Sequence, residues 1–351
     1  MSSAKGRGRS PEAGPRRRAT INDIARLASV SKKTVSRVIN NSPFVGSDTR
    51  SKVQAVIREH GYAPDPQARG LSLRRSFLIG LIYDNLDPQY VVNMQLGLLD
   101  GMRESGFELV VHPCDRSSPT FLEDMRSFVE HQKLYGVVLT PSVSEDERAA
   151  DLLRQIGCEY VRIAPVSLDE PRHMVETRDR LGGRAAGLHL AALGHKRIGY
   201  ITGPQSDRST RERRGGFEGG LAEHGVSLDP ERVFEGSGAF ESGIAGGEAL
   251  LAVTQRPTAI FADNDEMAAG VLHVARRVGL EIPRELSVVG FEDARIAARL
   301  WPPLTTVRTP TRHIGRLAVL QLMGQRGDTG RDDEERLPVL VQRASSGPAP
   351  A

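Results

Sequence analysis

The sequence predicts an α/β protein with two parts. An N-terminal headpiece of three helices contains a helix-turn-helix, and a larger core has two lobes, each built on a doubly wound parallel sheet. Three observations predict this: the caps and spacing of residues 20–40, the concentration of positive charge near the N-terminus, and seven β-branched runs that alternate with helical stretches after Ser76. A chain of 351 residues is long enough for two or three domains.

The helix-turn-helix is predicted from TINDIARLASVSKKTVSRVIN, which runs from Thr20 to Asn40. Thr20 and Asp23 have the spacing of a capping box, and the apolar residues that follow share one face of a first helix. Ser31 caps a second helix after a short turn, and this helix turns Val35 and Val38 inward while its basic residues point outward. A surface hairpin whose charges are only solvated is the alternative interpretation.

The segments around this motif complete a predicted headpiece over residues 19–61. Residues 1–18 are rich in Gly, Pro, Ser and Arg, which indicates a disordered basic arm. A third helix is expected from about Ser47 to His60, with Gly61 following its C-terminus. Residues 62–75 contain two prolines and are interpreted as a hinge with a short helix beginning at Pro66.

The predicted core spans residues 76–343 and consists of strands alternating with helices. Short β-branched runs separated by helices indicate parallel sheets covered on both faces. The break between the lobes is expected near 163–175, and the tail at 344–351 is expected to be disordered because it lacks apolar periodicity. The seven strand-like runs are FLIGLIY, FELVVHP, YGVVLT, EYVRIA, KRIGYITG, PTAIFAD and LSVVGFE.

Charge is distributed unevenly along the chain. Residues up to Arg75 include 16 Lys and Arg against 5 Asp and Glu, a net charge of +11, whereas the remainder has 31 basic and 39 acidic residues, a net charge of −8. A basic head on an acidic body is typical of a protein that meets a polyanion with one end only. Such binding should weaken steeply as salt increases.

Composition also narrows the functional classes. The chain has no apolar run of membrane-spanning length and no secretory signal, and its two cysteines, Cys114 and Cys158, lie far apart. These features predict a cytoplasmic protein without a membrane partner, a disulfide framework, a metal or a cofactor. The only Gly-rich candidate, GSGAFE, lacks the dinucleotide-binding fingerprint, and His195 is expected to be structural rather than a catalytic base. An enzyme and a transport binding protein are the rival classes, and both are disfavoured.

The chain resembles the lactose-repressor/galactose-repressor family of bacterial transcription regulators from about Thr20 to Met323. The resemblance rests on the helix-turn-helix, on TRSKVQAVIREHGYAPDPQARGL, and on four later motifs: LAALGHKRIGYITGP, RPTAIFADNDEMAAGVL, GLEIPRELSVVGFED and PPLTTVRTP. It implies a DNA-binding headpiece, a hinge helix and a core similar to periplasmic sugar-binding proteins. The assembly is expected to be at least a homodimer, with a tetramer left open.

The resemblance also assigns DNA contacts to the headpiece. Lys32, Lys33 and Arg37 fall where the second helix enters the major groove, where such side chains donate to guanine O6 and N7. Leu71 falls where the family inserts a leucine into the minor groove at the centre of the operator, although an ordinary linker leucine is the alternative. The residues expected to contact phosphates are Thr20, Ser31, Thr34, Ser36 and Asn40.

For the core, the resemblance implies a small effector bound between the lobes. Arg213 matches an arginine that grips effector oxygens, and Glu292 stands where the family usually has aspartate. A familiar aspartate at the end of a strand is replaced by Ala164, which prevents a direct transfer of effector specificity. The residues expected to face the effector are Asp84, Tyr90, Arg213, Asn264 and Glu292.

The expected function is therefore repression of carbohydrate-utilisation genes. The protein would bind a pseudo-palindromic operator as a dimer, and a sugar-like effector would release it. The alternative is a co-repressor-dependent regulator that responds to a non-sugar metabolite such as a purine.

Overall fold

The computed structural model describes residues 19–39, 42, 44–62, 76–84, 87–325 and 334–350. The chain divides into two compact units, Met1–Ser76 and Phe77–Ala351. The predicted basic arm at 1–18 and nearly all of the predicted hinge lie outside the described residues. Within the described ranges, every helix is too short or too polar to cross a membrane.

The described residues of the first unit form three helices, as the spacing of their apolar residues predicts. They are α1 (Ile21–Leu27), α2 (Lys32–Ile39) and α3 (Ser47–Glu59). The capping box of Thr20 and Asp23 is present at the start of α1, and Ser31 Oγ accepts from the Thr34 N–H at 3.0 Å at the start of α2. The small core of this unit contains Ile24, Ala25, Ala28, Val35, Val38 and Val53, all buried.

The first lobe of the second unit is a five-stranded parallel sheet in the order β2-β1-β3-β4-β5. Its strands are β1 (Leu78–Tyr83), β2 (Glu108–Pro113), β3 (Gly136–Leu139), β4 (Glu159–Ala164) and β5 (Met174–Glu176). The helices between them are α4 (Pro88–Gly101), α5 (Phe121–Gln132) and α6 (Glu147–Gln155). Single 3-10 turns lie at Val143–Glu145 and Pro171–His173.

The second lobe is a six-stranded sheet in the order β11-β10-β9-β8-β6-β7. Its strands are β6 (Ile198–Thr202), β7 (Val233–Glu235), β8 (Ala259–Ala262), β9 (Ser287–Glu292), β10 (Thr305–Arg308) and β11 (Val339–Val341). The helices that follow in chain order are α7 (Asp179–Ala192), α8 (Arg208–Ala222), α9 (Phe240–Leu251), α10 (Asp265–Arg277) and α11 (Thr311–Leu322). A 3-10 turn precedes β7 at Pro230–Arg232.

The chain passes between the two lobes three times. It leaves the first lobe between β5 and α7, returns between β10 and α11, and leaves again after α11 to form β11. Helix α11 therefore packs in the first lobe, where Gly97 of α4 brings the two helices into contact. A Cβ atom at Gly97 would lie 2.0 Å from the backbone oxygen of Arg312, so this approach requires glycine.

The sheets differ from the sequence-based expectation in three ways. Four strands, β5, β7, β10 and β11, have no counterpart among the seven predicted runs, and three of them, β5, β7 and β11, have only three residues each. Strand β11 pairs antiparallel with β10, so the second sheet is not wholly parallel. The first passage between the lobes follows Glu176, just beyond the predicted break at 163–175.

The prediction of a disordered tail at 344–351 is wrong for residues 344–350, the part of the tail that the structure describes. Ser345 is fully buried; its hydroxyl donates to the Val288 oxygen at 2.6 Å and accepts from the Thr305 N–H at 2.8 Å. The Gly347 oxygen lies 3.0 Å from Nε2 of the fully buried His195, which confirms a structural role for that histidine. Polar hydrogen bonds rather than an apolar stripe hold this segment, and hydropathy patterns do not reveal such bonds.

Candidate functional site

The outer face of α2 carries three cations that the fold leaves available. Lys32, Lys33 and Arg37 are all exposed. No ion pair or hydrogen bond engages these three side chains within the described residues. Buried Val35 and Val38 fix the opposite face of α2 against the headpiece core, so the helix presents its basic side outward. This is the arrangement that reading base edges in a major groove requires.

The hydroxyl residues predicted to contact phosphates have a second role in the fold. Thr20 Oγ1 donates to Asp23 Oδ2 at 2.6 Å, and the hydroxyls of Ser31 and Thr34 lie 2.8 Å apart. These bonds organise the first turns of α1 and α2, whose backbone N–H groups also suit anions. Ser36 is half-buried on α2. Asn40 and Leu71 lie outside the described residues.

Sequence reasoning assigned no role to Phe44, which is 85% exposed ahead of α3. The neighbouring Val45 packs against the headpiece core, and the Arg50 guanidinium donates to the Ser42 oxygen at 2.6 Å. An aromatic side chain so exposed does not contribute to the core of this small unit.

The core has a cavity of about 720 Å³ between its two lobes. Its walls come from the carboxyl ends of the strands and the first turns of the helices that follow them, the usual place for a ligand in parallel α/β sheets. The structure brings all five predicted effector residues to this cavity: Asp84, Tyr90, Arg213, Asn264 and Glu292.

Arg213 is held in place by two carboxylates and an aromatic ring. Its Nη2 lies 2.8 Å from Asp179 Oδ1, its Nη1 lies 3.4 Å from Asp263 Oδ1 and also donates to the Asp263 backbone oxygen, and the guanidinium carbon lies 3.8 Å from the Phe291 ring centroid. Gly183 makes this possible, because a Cβ there would lie 2.0 Å from the Arg213 backbone oxygen. Helices α7 and α8 thus approach closely enough to join Arg213 to Asp179.

Asn264 and Glu292 occupy specialised backbone positions. Asn264 caps α10 by accepting from the Met267 N–H at 2.8 Å, and its amide donates to the Gly238 oxygen at 2.7 Å. Glu292 ends β9 with a φ of 103°, a conformation that costs energy for a residue with a side chain and is often found at functional sites. Burial raises the pKa of Glu292 to about 8, against the opposing effect of Arg213.

Four buried polar atoms of the cavity wall lack a hydrogen-bond partner among the described residues. They are Asp84 Oδ1, Tyr90 OH, Glu145 Oε1 and Arg213 Nε. Leaving such a group unpaired costs about 1–3 kcal/mol. A ligand or water that completes these bonds would remove that cost, so these atoms mark the polar contacts of a bound molecule.

Sequence reasoning missed the residues that connect the lobes at this cavity. Arg116 of the first lobe pairs with Asp84 at 2.5 Å and reaches Asp207 of the second lobe at 3.7 Å. Glu145 of the first lobe accepts from the backbone N–H of Arg208, at the start of α8, at 3.1 Å. No local pattern identifies these residues, because each partner lies more than 30 positions away in sequence.

The cavity is suited to a polar organic ligand rather than to a metal ion. Among the described residues, no three His, Cys, Asp or Glu side chains are grouped so as to hold a metal. Guanidinium and carboxylate groups make paired hydrogen bonds, and vicinal hydroxyls can satisfy both.

Two family matches correspond to these two parts of the chain. Residues 20–65 match the family described as bacterial regulatory proteins, lacI family. Residues 188–346 match a periplasmic binding protein-like domain.

Curated relatives match nearly the whole chain. A ribose operon repressor of Haemophilus influenzae is 31% identical over 305 residues, which cover 87% of this chain and 91% of the relative. The HTH-type transcriptional regulator DegA of Bacillus subtilis is 32% identical, with 94% and 98% covered. The regulator CelR of Thermobifida fusca is 33% identical, with 86% and 90% covered.

Solved structures show the same architecture. A complex of the transcriptional regulator CelR with cellobiose aligns with a TM-score of 0.68 at 29% identity, covering 94% of this chain and 100% of that one. The lac repressor dimer bound to operator and the anti-inducer ONPF aligns with a TM-score of 0.73 at 27% identity and the same coverage. These relatives are transcriptional regulators that bind DNA, and this chain belongs to the lacI family of bacterial regulatory proteins.

Proposed function

We propose that this protein represses carbohydrate-utilisation genes by binding a pseudo-palindromic operator as a homodimer. The observation that carries the DNA-binding part is the outer face of α2, where three cations have no acidic partner within the described residues. A dimer with two such faces reads two half-sites, which makes the operator symmetric.

Each predicted headpiece residue has a proposed role. Lys32, Lys33 and Arg37 donate to guanine edges, while the remaining residues fix the register on the backbone. The insertion of Leu71 into the minor groove rests on the family resemblance alone. The proposed phosphate contacts are Thr20, Ser31, Thr34, Ser36 and Asn40.

An exposed apolar stripe on α4 supports the homodimer. Val92, Leu96 and Leu99 are 45%, 39% and 46% exposed, and their spacing places them along one side of the helix. Clustered apolar side chains of this kind are favoured at interfaces between copies of a chain. Sedimentation of the full chain would distinguish the proposed dimer from a tetramer.

The proposed signal is a small sugar that binds between the lobes and releases the operator. The unpaired polar atoms of the cavity favour a hydroxyl-rich ligand. Among the similar proteins, one is named a ribose operon repressor, and the regulator CelR was solved in complex with cellobiose. Asp84, Tyr90, Arg213, Asn264 and Glu292 are its proposed contacts. A ligand that binds one lobe arrangement better than another can shift the protein between two DNA-binding states.

The same proposal places the protein in the cytoplasm, where the operator DNA lies, with no membrane partner and no catalytic step. It predicts that bound sugars are returned chemically unchanged. Incubation with a binding sugar followed by chromatography tests this, and any product formed at a rate proportional to protein concentration would contradict it.

Selection from random duplexes tests the DNA-binding proposal. The full-length protein should enrich a pseudo-palindrome, and the Arg37→Ala variant should enrich it weakly or with altered base preference. The selected duplex then serves in a gel shift with a panel of mono- and disaccharides and purines. Release by a sugar supports induction, whereas tighter binding with a purine would favour the co-repressor alternative.

A further inference from the structure

The cleft cavity is strongly acidic. The described residues that line it include nine Asp or Glu side chains and two arginines, Arg116 and Arg213. Both guanidinium groups are already engaged by carboxylates: Arg213 contacts Asp179 and Asp263, and Arg116 contacts Asp84 and Asp207. Among the described residues, the lining therefore holds no cation that is left over for an anionic ligand.

Helix N-termini are the usual alternative for binding a phosphate, because their backbone N–H groups are unpaired and point along the dipole. In this cavity carboxylates already occupy that position. Asp87 caps α4 by accepting from the Gln89 N–H at 2.8 Å, and Glu145 accepts from the Arg208 N–H at the start of α8 at 3.1 Å.

The other helices that begin at the cavity carry a carboxylate in their first turn, with one exception. Asp179 is the first residue of α7, Glu241 lies in the first turn of α9, and Glu266 lies in the first turn of α10. The exception is α11, which begins at Thr311 and has no acidic residue in its first turn. Five helix starts thus repel an anion where helix starts ordinarily attract one.

The entrance adds to this repulsion. Glu241 and Glu266 are exposed and belong to the second lobe, while Asp87 belongs to the first. Burial, together with the negative charges of Asp87 and Glu241, raises the pKa of Glu266, which indicates that the three carboxylates act on one another across the cleft. Within the described residues, Glu241 and Glu266 have no ion-pair partner.

The unpaired atoms of the wall specify the ligand's hydrogen-bonding groups. Asp84 Oδ1, Glu145 Oε1 and Tyr90 OH are oxygens, and Arg213 Nε is the one nitrogen among the four. Carboxylate oxygens accept hydrogen bonds, so the ligand must supply O–H or N–H donors. A phosphate dianion supplies acceptors only, whereas a sugar hydroxyl donates and accepts.

We propose that the effector is a sugar without negative charge, either neutral or carrying an amine, and that the cleft excludes sugar phosphates and sugar acids. The inference rests on the proposed function, because it names the ligand class of the same site. It also implies that the protein senses a sugar before any phosphorylation or oxidation to a sugar acid.

Calorimetric titration of the full chain with matched ligands tests the inference. The probes are glucose, glucosamine, glucose 6-phosphate and glucuronic acid, the corresponding galactose set, ribose with ribose 5-phosphate, and cellobiose. We expect at least one neutral or amino sugar to bind, and its phosphate or acid form to bind at least about tenfold more weakly. A phosphate or acid that binds more tightly than its uncharged partner would overturn the inference while leaving the sugar response intact. Failure of every probe would contradict the proposed sugar response itself, and this inference with it.

A charge variant gives a second, independent test. Glu241→Gln combined with Glu266→Gln removes two exposed carboxylates at the entrance without touching a buried bond. We expect the ratio of the two dissociation constants, phosphate over free sugar, to fall by about threefold to tenfold, with the larger change at low salt. The matched control is Glu130→Gln with Glu248→Gln, which removes two exposed carboxylates outside the cavity and should leave the ratio unchanged. An unchanged ratio in the entrance variant would overturn the electrostatic argument.

Discussion

Two arginines of this protein, Arg37 in the headpiece and Arg213 in the core, show two opposite uses of one side chain. Arg37 is exposed on α2, and its side chain has no partner within the described residues. Arg213 is 11% exposed, pairs with Asp179 and Asp263, and stacks on Phe291. The first charge is left for a partner outside the chain, whereas the second is largely compensated inside it. Replacing Arg37 should therefore change binding, and replacing Arg213 should also change folding.

The largest effect is expected for Arg213→Ala. Removing the guanidinium leaves Asp179 and Asp263 buried without their cation, and breaking a buried pair in this way costs about 3–5 kcal/mol. Denaturant unfolding of the core should show this loss. The control is Arg214→Ala on the same helix, which removes a half-exposed i,i+4 pair with Glu218 and should cost less than about 1 kcal/mol. Equal losses in the two variants would mean that the Arg213 charge is not compensated as described. Below its unfolding temperature, Arg213→Ala should still bind operator and should not respond to the effector.

Ser345→Ala extends the comparison to buried polar groups that carry no charge. The hydroxyl joins Thr305 and Val288, so its removal leaves a buried N–H and a buried oxygen unpaired, at a cost of about 1–3 kcal/mol. Thermal unfolding should report this loss, and operator affinity measured at low temperature should be unchanged. Ser117→Ala, at an exposed turn, is the control and should be nearly neutral. A neutral Ser345→Ala would indicate that the C-terminal segment does not stabilise the second lobe.

For Arg37→Ala we expect nearly unchanged stability and a lower operator affinity, the reverse of the effects expected for Ser345→Ala. The free energy of unfolding should change by less than about 0.5 kcal/mol, because an exposed side chain without a partner stabilises little. Operator affinity should fall by about 1–3 kcal/mol, with relaxed base preference at one position of each half-site. Anisotropy titrations at two salt concentrations separate this loss from a phosphate contact, which would reduce affinity for all sequences alike. Unchanged operator affinity would remove Arg37 from the reading face.

The same contrast explains how much the sequence predicts. The headpiece is accessible to sequence reasoning because its determinants are local: Thr20 with Asp23 and Ser31 with Thr34 lie three residues apart. In the core seven strands were predicted, but β7 and β11 were not, because three residues become a strand only beside a neighbour that is distant in sequence.

The residues of the cleft also divide into those that the sequence predicts and those that it does not. The family resemblance led to Arg213, but its partner Asp179 was missed, because Asp179 reaches Arg213 only through the close approach of α7 and α8 at Gly183. The C-terminal segment was misread for a related reason: Ser345 and Gly347 are held by hydrogen bonds to residues about 60 positions earlier. Nonlocal polar contacts are thus what the sequence alone did not disclose.

The prediction most specific to the cleft concerns the pH dependence of stability at Glu292. Its pKa is raised from 4.5 to about 8, mainly by burial, with further contributions from Asp87, Asp265 and Asp263 and an opposing one from Arg213. The folded state therefore holds this proton more tightly than the unfolded state does. The resulting stabilisation is fully present below about pH 4.5 and is lost as the pH rises through about 8.

Glu292→Gln mimics the protonated form, so the stability of the variant relative to the parent should increase steadily across this window and level off above it. Asp265 also titrates there, with a pKa raised to about 7 by burial, but it is present in both chains and largely cancels in the difference. Paired denaturant titrations at pH 5, 7 and 9 measure the effect, and a difference that stays constant or shrinks with rising pH would show that Glu292 is ionised throughout.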